Sequence, residues 1–236
     1  MYNNKKTEPD FIHSFIPPKY EESGATAATR RRKIEGKAFT TFLLLHGTGG
    51  NEEDLIPLAY ELDNTAAILS PRGKVLENGI TPRFFRRLAE GVFDLEDLKF
   101  RTNELADFVI DASKTYDFDL RHIIAVGYSN GANIAASMLL LRPEILSSAI
   151  LFRAMVPLIP ERLVDLSNKS IFMSSGRHDP IVSRQEADRL FGLFKKAGSN
   201  ISLTWQESGH ELTMDDIQKA KEWLMNSISY SHPSSA

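Results

Sequence analysis

The chain has 236 residues, of which 42% are hydrophobic, with a net charge of −3 and no cysteine. That length and apolar content can bury a full core, while the weak charge offers nothing to attract nucleic acid or an anionic membrane. The absence of cysteine excludes a thiol nucleophile, a disulfide and a thiolate metal site. The first ten residues, MYNNKKTEPD, hold no apolar signal segment. Nowhere do about 18 apolar residues run together, so no stable membrane insertion is expected and a soluble cytoplasmic protein is the default.

Taken in order, Phe11–Ile16 (FIHSFI) has strand character and is stopped by Pro17-Pro18. Residues 19–37 are poor in apolar side chains and carry the basic run Arg30–Lys33. No hydrophobic stretch of the kind a twin-arginine address needs follows it directly, so an exposed hairpin or solvated loop is expected. The division this suggests is an N-terminal strand with a variable basic loop over 1–37, and one core domain over 38–229.

Phe39–Leu45 (FTTFLLL) reads as a buried strand running into His46-Gly47-Thr48-Gly49-Gly50-Asn51, with an acidic helix start at Glu52-Glu53-Asp54. Ala66–Ser70 is the next strand. From Pro71 to about Phe93 runs an excursion punctuated by proline and glycine, longer than ordinary connections and suited to a binding wall. Apolar residues at helical spacing then fill Leu95–Tyr116. Ile123–Val126 is a buried strand, and Ala132, Ile134, Ala135, Met138 and Leu139 mark the helix after it. Strands at Ser148–Phe152, Ser170–Ser174 and Ile201–Trp205 follow, with helices over Ser183–Lys196 and about Thr213–Ile228. Alternating strands and helices imply an α/β fold, a mostly parallel doubly wound sheet with helices on both faces.

Between Ile123–Val126 and its helix lies Gly127-Tyr128-Ser129-Asn130-Gly131, a G-x-S-x-G turn in strand–turn–helix context, the setting of a nucleophile elbow. In a parallel sheet, functional groups collect beyond the carboxyl ends of the strands. That rule selects the turn His46–Asn51, Ser129, Asp179 and His210. A serine hydroxyl needs an imidazole to take its proton, and the imidazole needs a carboxylate to hold its other nitrogen. Ser129, His210 and Asp179 are therefore the candidate catalytic residues. His178 adjoins the candidate acid and is read as a loop residue, His46 as shaping its turn, and Asp215 and Asp216 as helix-end charges. The oxyanion donors would be the backbone N–H groups of Asn130 and Thr48. The excursion, with Phe84, Phe85, Arg86, Arg87 and Phe93, and the loop Met155-Val156-Pro157-Leu158 would wall the pocket. Arg86 and Arg87 are candidates to meet an anionic substrate group.

The segments LLLHGTGGNEEDL, ILSPRG, PRFFRR, EGVFD, VGYSNGANIA, GRHDPIV and SGHE occur in that order between about Thr40 and Leu224. Together they resemble the phospholipase/carboxylesterase branch of the α/β-hydrolase superfamily, which includes acyl-protein thioesterases. They look most like its bacterial carboxylesterases, among them the methylhydroquinone-resistance hydrolases. The resemblance implies the α/β-hydrolase fold and the triad Ser129, Asp179 and His210, with Thr48 and Asn130 as oxyanion donors. Nucleophile, base and oxyanion donors need no cofactor, and no His–Glu spacing on one helix suggests a metal. A small-molecule ester is the expected partner, and a homodimer is the oligomeric candidate because exposed apolar edges often pair such domains. The expected activity is a serine carboxylesterase; the alternatives are a lysophospholipase or acyl thioesterase, and, from another class, a catalytically silent binding protein using the same crevice.

Overall fold

The computed structural model describes residues 11–19 and 39–230. The basic run Arg30–Lys33 and most of the segment 1–37 lie outside them. A seven-stranded sheet forms the centre, built from β1 (His13–Ile16), β2 (Thr41–Leu45), β3 (Ala67–Pro71), β8 (Ile123–Tyr128), β9 (Ser148–Phe152), β10 (Ser170–Gly176) and β11 (Asn200–Gln206). Their spatial order is β1-β3-β2-β8-β9-β10-β11. Every pairing is parallel except β1 with β3, where His13 lies opposite Pro71. The proline pair at 17–18 ends this edge strand, as the lost amide donor requires.

Continuous apolar runs become two cores because successive strand residues face opposite sides. Leu43, Leu45, Ile123, Ala125, Ala149 and Leu151 face one layer, packed on α2 (Leu95–Tyr116), α3 (Asn130–Leu141) and α4 (Arg184–Lys196). Phe42, Leu44, Ile124, Val126, Ile150 and Phe152 face the other, on α1 (Ile56–Leu62) and α5 (Met214–Tyr230). No helix among the described residues is long and apolar enough to cross a membrane.

Two stretches differ from the sequence expectation. The acidic trio does not open a helix: α1 begins at Ile56, beside Pro57, with no acidic residue in its first turn. Glu52 is instead drawn to Arg72 (2.5 and 2.7 Å), whose guanidinium holds its carboxyl below the usual value. Asp54 folds back to accept from the Asn51 N–H. The excursion is also more regular than a loop. It forms two hairpins, β4 (Val75–Glu77) with β5 (Thr81–Arg83), and β6 (Arg87–Ala89) with β7 (Val92–Phe93). The first turns at Asn78-Gly79, both at positive φ (53° and 78°), the Asn-Gly signal for a tight hairpin. Each strand is too short for periodicity to register, so only that dipeptide announces it.

Helix α3 comes close against the carboxyl end of the central strand β2. Nearly every one of its residues is buried, and a methyl group on Gly131 would overlap the carbonyl oxygen of Leu45 in β2. Backbone cannot yield as a flexible side chain can. Gly131→Ala is therefore expected to destabilise the protein by about 3 kcal/mol or more, read as a lowered midpoint in urea unfolding. Unchanged stability would mean that α3 can withdraw from the sheet freely.

Candidate active site

Four strand ends deliver the site. Ser129 follows β8 and occupies φ 52°, ψ −113°, a region that disfavours any residue with a Cβ. Its N–H is tied to the Phe152 carbonyl at 2.9 Å, so β9 helps hold the strained turn. Asp179 lies beyond β10 and His210 beyond β11. Their loops are joined by backbone bonds, Arg177 N–H to Gln206 and His178 N–H to Ser208, at 2.8 and 3.0 Å. Residues fifty and eighty-one positions from Ser129 thereby meet it.

The contact is a continuous chain of hydrogen bonds. His210 Nε2 is 2.8 Å from Ser129 Oγ, and His210 Nδ1 is 2.8 Å from Asp179 Oδ2. Asp179's other oxygen accepts from the N–H groups of Ile181 and Val182, at 2.8 and 2.9 Å, fixing the carboxylate's orientation. Its side chain is 1% exposed. Tyr128 donates its hydroxyl to the His210 carbonyl at 2.9 Å, steadying the histidine from the elbow's own strand. His178, the competing imidazole, points outward and meets Glu207.

Ser129, Asn130, Thr48, Tyr128 and His210 share one cavity of about 400 Å³. Asn130 begins α3, where the first N–H groups have no intrahelical acceptor. Its side chain does something the sequence did not suggest: Oδ1 accepts from the Phe84 N–H at 2.8 Å, pinning the excursion to the elbow. Thr48 accepts through Oγ1 from Arg83 Nη1 at 2.7 Å. His46 is 2% exposed and bridges two turns, donating from Nδ1 to the Gly47 carbonyl and accepting at Nε2 from the Gly73 N–H. That pattern requires the neutral imidazole.

The expected pocket wall needs correction. Phe84 and Phe85 are 2% and 0% exposed and belong to the core beneath the excursion. Leu158 is buried in that core and Val156 packs against it. Arg86 turns away to Asp94 and Asp97 at the start of α2. Of the expected wall, Phe93, Met155 and Arg87 do line the cavity; Ile181 and Val182 add apolar lining, and Arg83 and Asn133 polar lining. The reason is geometric: Phe84, Phe85 and Arg86 form a bend between β5 and β6 that turns both rings into the core, while Arg83 and Arg87 at its ends line the cavity.

Sequence reasoning also missed the largest buried cation. Arg153 follows β9 at positive φ (55°) and is 0% exposed. It forms a two-pronged pair with Asp216 at 2.7 and 2.8 Å. Nε donates to the Gly209 carbonyl and Nη2 to the Glu211 carbonyl, gripping the chain on both sides of His210. Burial raises the Asp216 carboxyl, but bonds from Arg153, Ser174 and Thr213 outweigh it and hold the group below its usual value. Asp216 is thus no helix-end ornament; Asp215, which pairs with Lys219 on the surface, fits that description. An arginine closing the apolar run SAILF was the available signal, since such a cation must find an acid inside.

This sheet order, its helices on both faces and the strained serine turn define an α/β-hydrolase fold. No family model matches the chain. A protein of Bacillus subtilis named as a hydrolase, MhqD, is 45% identical over 194 residues, covering 82% of this chain and 96% of that one. The crystal structure of the Bacillus cereus carboxylesterase matches with a TM-score of 0.82 at 46% identity, over 92% of this chain and 95% of that one. YahD, solved with malic acid, matches at 0.79 and 30% identity, over 92% and 98%. Arabidopsis thaliana SOBER1, at 19% identity and a TM-score of 0.69 over 81% and 100%, shares the fold. The chain belongs to the carboxylesterase family of α/β-hydrolases, enzymes that hydrolyse carboxylic esters.

Two outcomes follow from the buried groups. Asp216→Asn leaves Arg153 without its counter-charge in the interior and is expected to cost about 3–5 kcal/mol in urea unfolding; a loss below 1 kcal/mol would show that water reaches Arg153. Burial pulls the His46 imidazole below its ordinary value of 6.5. The unfolded chain then binds a proton that the folded chain refuses. Stability from this group is complete above about pH 6.5 and falls as pH drops toward the depressed native value. In His46→Gln, the decline of the unfolding midpoint between pH 7 and 5 is expected to be shallower than in wild type.

Proposed function

We propose that the chain is a serine carboxylesterase acting on small carboxylic esters through an acyl-enzyme on Ser129. The observation that carries this reading is the unbroken Ser129–His210–Asp179 chain, 2.8 Å at each link, opening into the cavity that also holds Thr48 and Asn130.

In the first half-reaction, Ser129 Oγ attacks the ester carbonyl carbon while His210 Nε2 takes the hydroxyl proton. Asp179 holds Nδ1–H and stabilises the imidazolium that forms. The oxyanion meets the backbone N–H groups of Asn130 and Thr48, each worth about 3 kcal/mol of barrier in sites of this kind. Collapse breaks the bond to the alcohol oxygen, which leaves with the proton from His210. Water then repeats the sequence: His210 takes its proton, hydroxide oxygen bonds to the acyl carbon, and Ser129 leaves reprotonated. Nucleophile, base and donors are all side chains and amides of this chain, so the chemistry asks for no cofactor. A cavity of about 400 Å³ favours short acyl groups over a lipid chain, and the family membership supports an ester as the substrate class.

Hydrolysis of 4-nitrophenyl esters from acetate to laurate tests this. Wild type is expected to prefer the short chains, and Ser129→Ala to lose on the order of a million-fold in turnover. A fluorophosphonate is expected to label wild type and not the variant. Wild type no faster than Ser129→Ala on every ester, with no labelling, would sink the reading in favour of a silent binding crevice.

A further inference from the structure

The cavity wall carries a cation that is short of partners. Arg83 ends β5, is 3% exposed, and lines the same cavity as Ser129 and His210. Nη1 donates to Thr48 Oγ1 at 2.7 Å and Nε to the Phe85 carbonyl at 3.2 Å. Among the described residues no hydrogen bond is made by Nη2. Its nearest carboxylate oxygen, Glu77 Oε2, stands off at 3.9 Å. Glu77 is already committed: Arg87 holds both its oxygens at 2.7 and 3.1 Å. Two guanidiniums thus share one carboxylate, and Arg87 lines the cavity too. Glu90, the other acidic lining residue, is exposed at the second hairpin's turn, where water screens it.

Burial without a matching anion is unfavourable for a guanidinium, and burial pulls Arg83 below the usual arginine value. The group nevertheless stays charged at any working pH, because arginine's own value is so high. Asn130 nearby offers nothing comparable: Oδ1 is fixed to Phe84 and Nδ2 is sealed in the interior. A guanidinium with an unused donor, in the wall of the cavity that also holds Ser129, fits a ligand that brings oxygen acceptors and negative charge. A planar carboxylate matches the guanidinium fork best.

From this geometry we infer that the enzyme's substrate is a short ester bearing a carboxylate, which Arg83 receives in the cavity while Arg87 keeps Glu77 occupied. The inference rests on the esterase reading for the word ester; the anion site itself rests on Arg83. It assigns the wall role to Arg83 and Arg87, and leaves Arg86 to its salt bridges with α2.

Two matched pairs of esters test it. Mono-4-nitrophenyl succinate against 4-nitrophenyl butyrate places the charge on the acyl side; 4-acetoxybenzoate against its methyl ester places it on the alcohol side. Wild type is expected to favour the anionic member of one pair, and Arg83→Gln to erase that preference by about ten-fold to a hundred-fold, chiefly through KM. Because Arg83 also holds Thr48, the variant lowers turnover of neutral esters as well; the anionic-to-neutral ratio is the reading that counts. Arg87→Gln touches neither Thr48 nor the triad and frees Glu77 to pair with Arg83, so it lowers the same ratio in a fold that tolerates it. Equal losses on both members of each pair would overturn the inference and leave Arg83 a positioning residue for Thr48.

Calorimetric titration with succinate separates this from the fate of the esterase reading. Succinate binding that Arg83→Gln abolishes, with no ester of either charge turned over, would keep the anion site and remove the ester. Turnover of neutral esters with no succinate binding and no anionic preference would do the reverse.

Discussion

The closeness of α3 to the carboxyl ends of β2 and β8 is the constraint on which the site depends. Gly131 lets the helix backbone come against the Leu45 carbonyl, and the turn between has room for Ser129 only at φ 52°. That strain lifts Ser129 above the sheet and directs Oγ toward the cavity. The Phe152 carbonyl and the packed core on both faces hold it there. A conformation that would relax on its own is kept because every neighbouring element has already been fixed by burial.

A second device acts on the histidine. His210 sits in a loop with little apolar anchoring of its own, and loops without such anchoring move. Arg153 supplies the anchor from beneath, through the carbonyls of Gly209 and Glu211, while Tyr128 holds the His210 carbonyl from the side. Asp216 makes this arrangement affordable in the interior by neutralising Arg153. Ser174 and Thr213 complete the carboxylate's bonding. One buried ion pair therefore ties β9, β10 and α5 to the loop that carries His210. Such pairs contribute little net stability against a hydrophobic equivalent, but they specify one arrangement, and a His210 held 2.8 Å from Ser129 needs one arrangement.

The two hairpins of the excursion give the crevice its character. They are joined to the elbow through Asn130 and Phe84, and to the glycine turn through Arg83 and Thr48 and through the Gly49 N–H to the Pro82 carbonyl. The wall that would select the substrate and the turn that would stabilise the oxyanion are therefore mechanically one unit. Phe84 and Phe85 drive this by filling the core, which leaves the flanking arginines to face the cavity or the surface.

By itself, the sequence determined the alternation of strands and helices, because long buried runs and amphipathic helices carry strong periodic signals. It also placed Ser129, Asp179 and His210 at strand ends, because a parallel sheet always presents its chemistry there. The extent of α1 and the two hairpins escaped it: three-residue strands have no measurable period, and an acidic cluster can serve a neighbouring arginine as readily as a helix end. Which residues of PRFFRR face the cavity was decided only by how the bend between the two hairpins packs on the core. The pairing of Arg153 with Asp216, sixty-three positions apart, was decided only by the packing of α5 against the sheet. Local pattern dictates what an element is and which face it buries. It carries no record of which distant charge will be waiting on the other side.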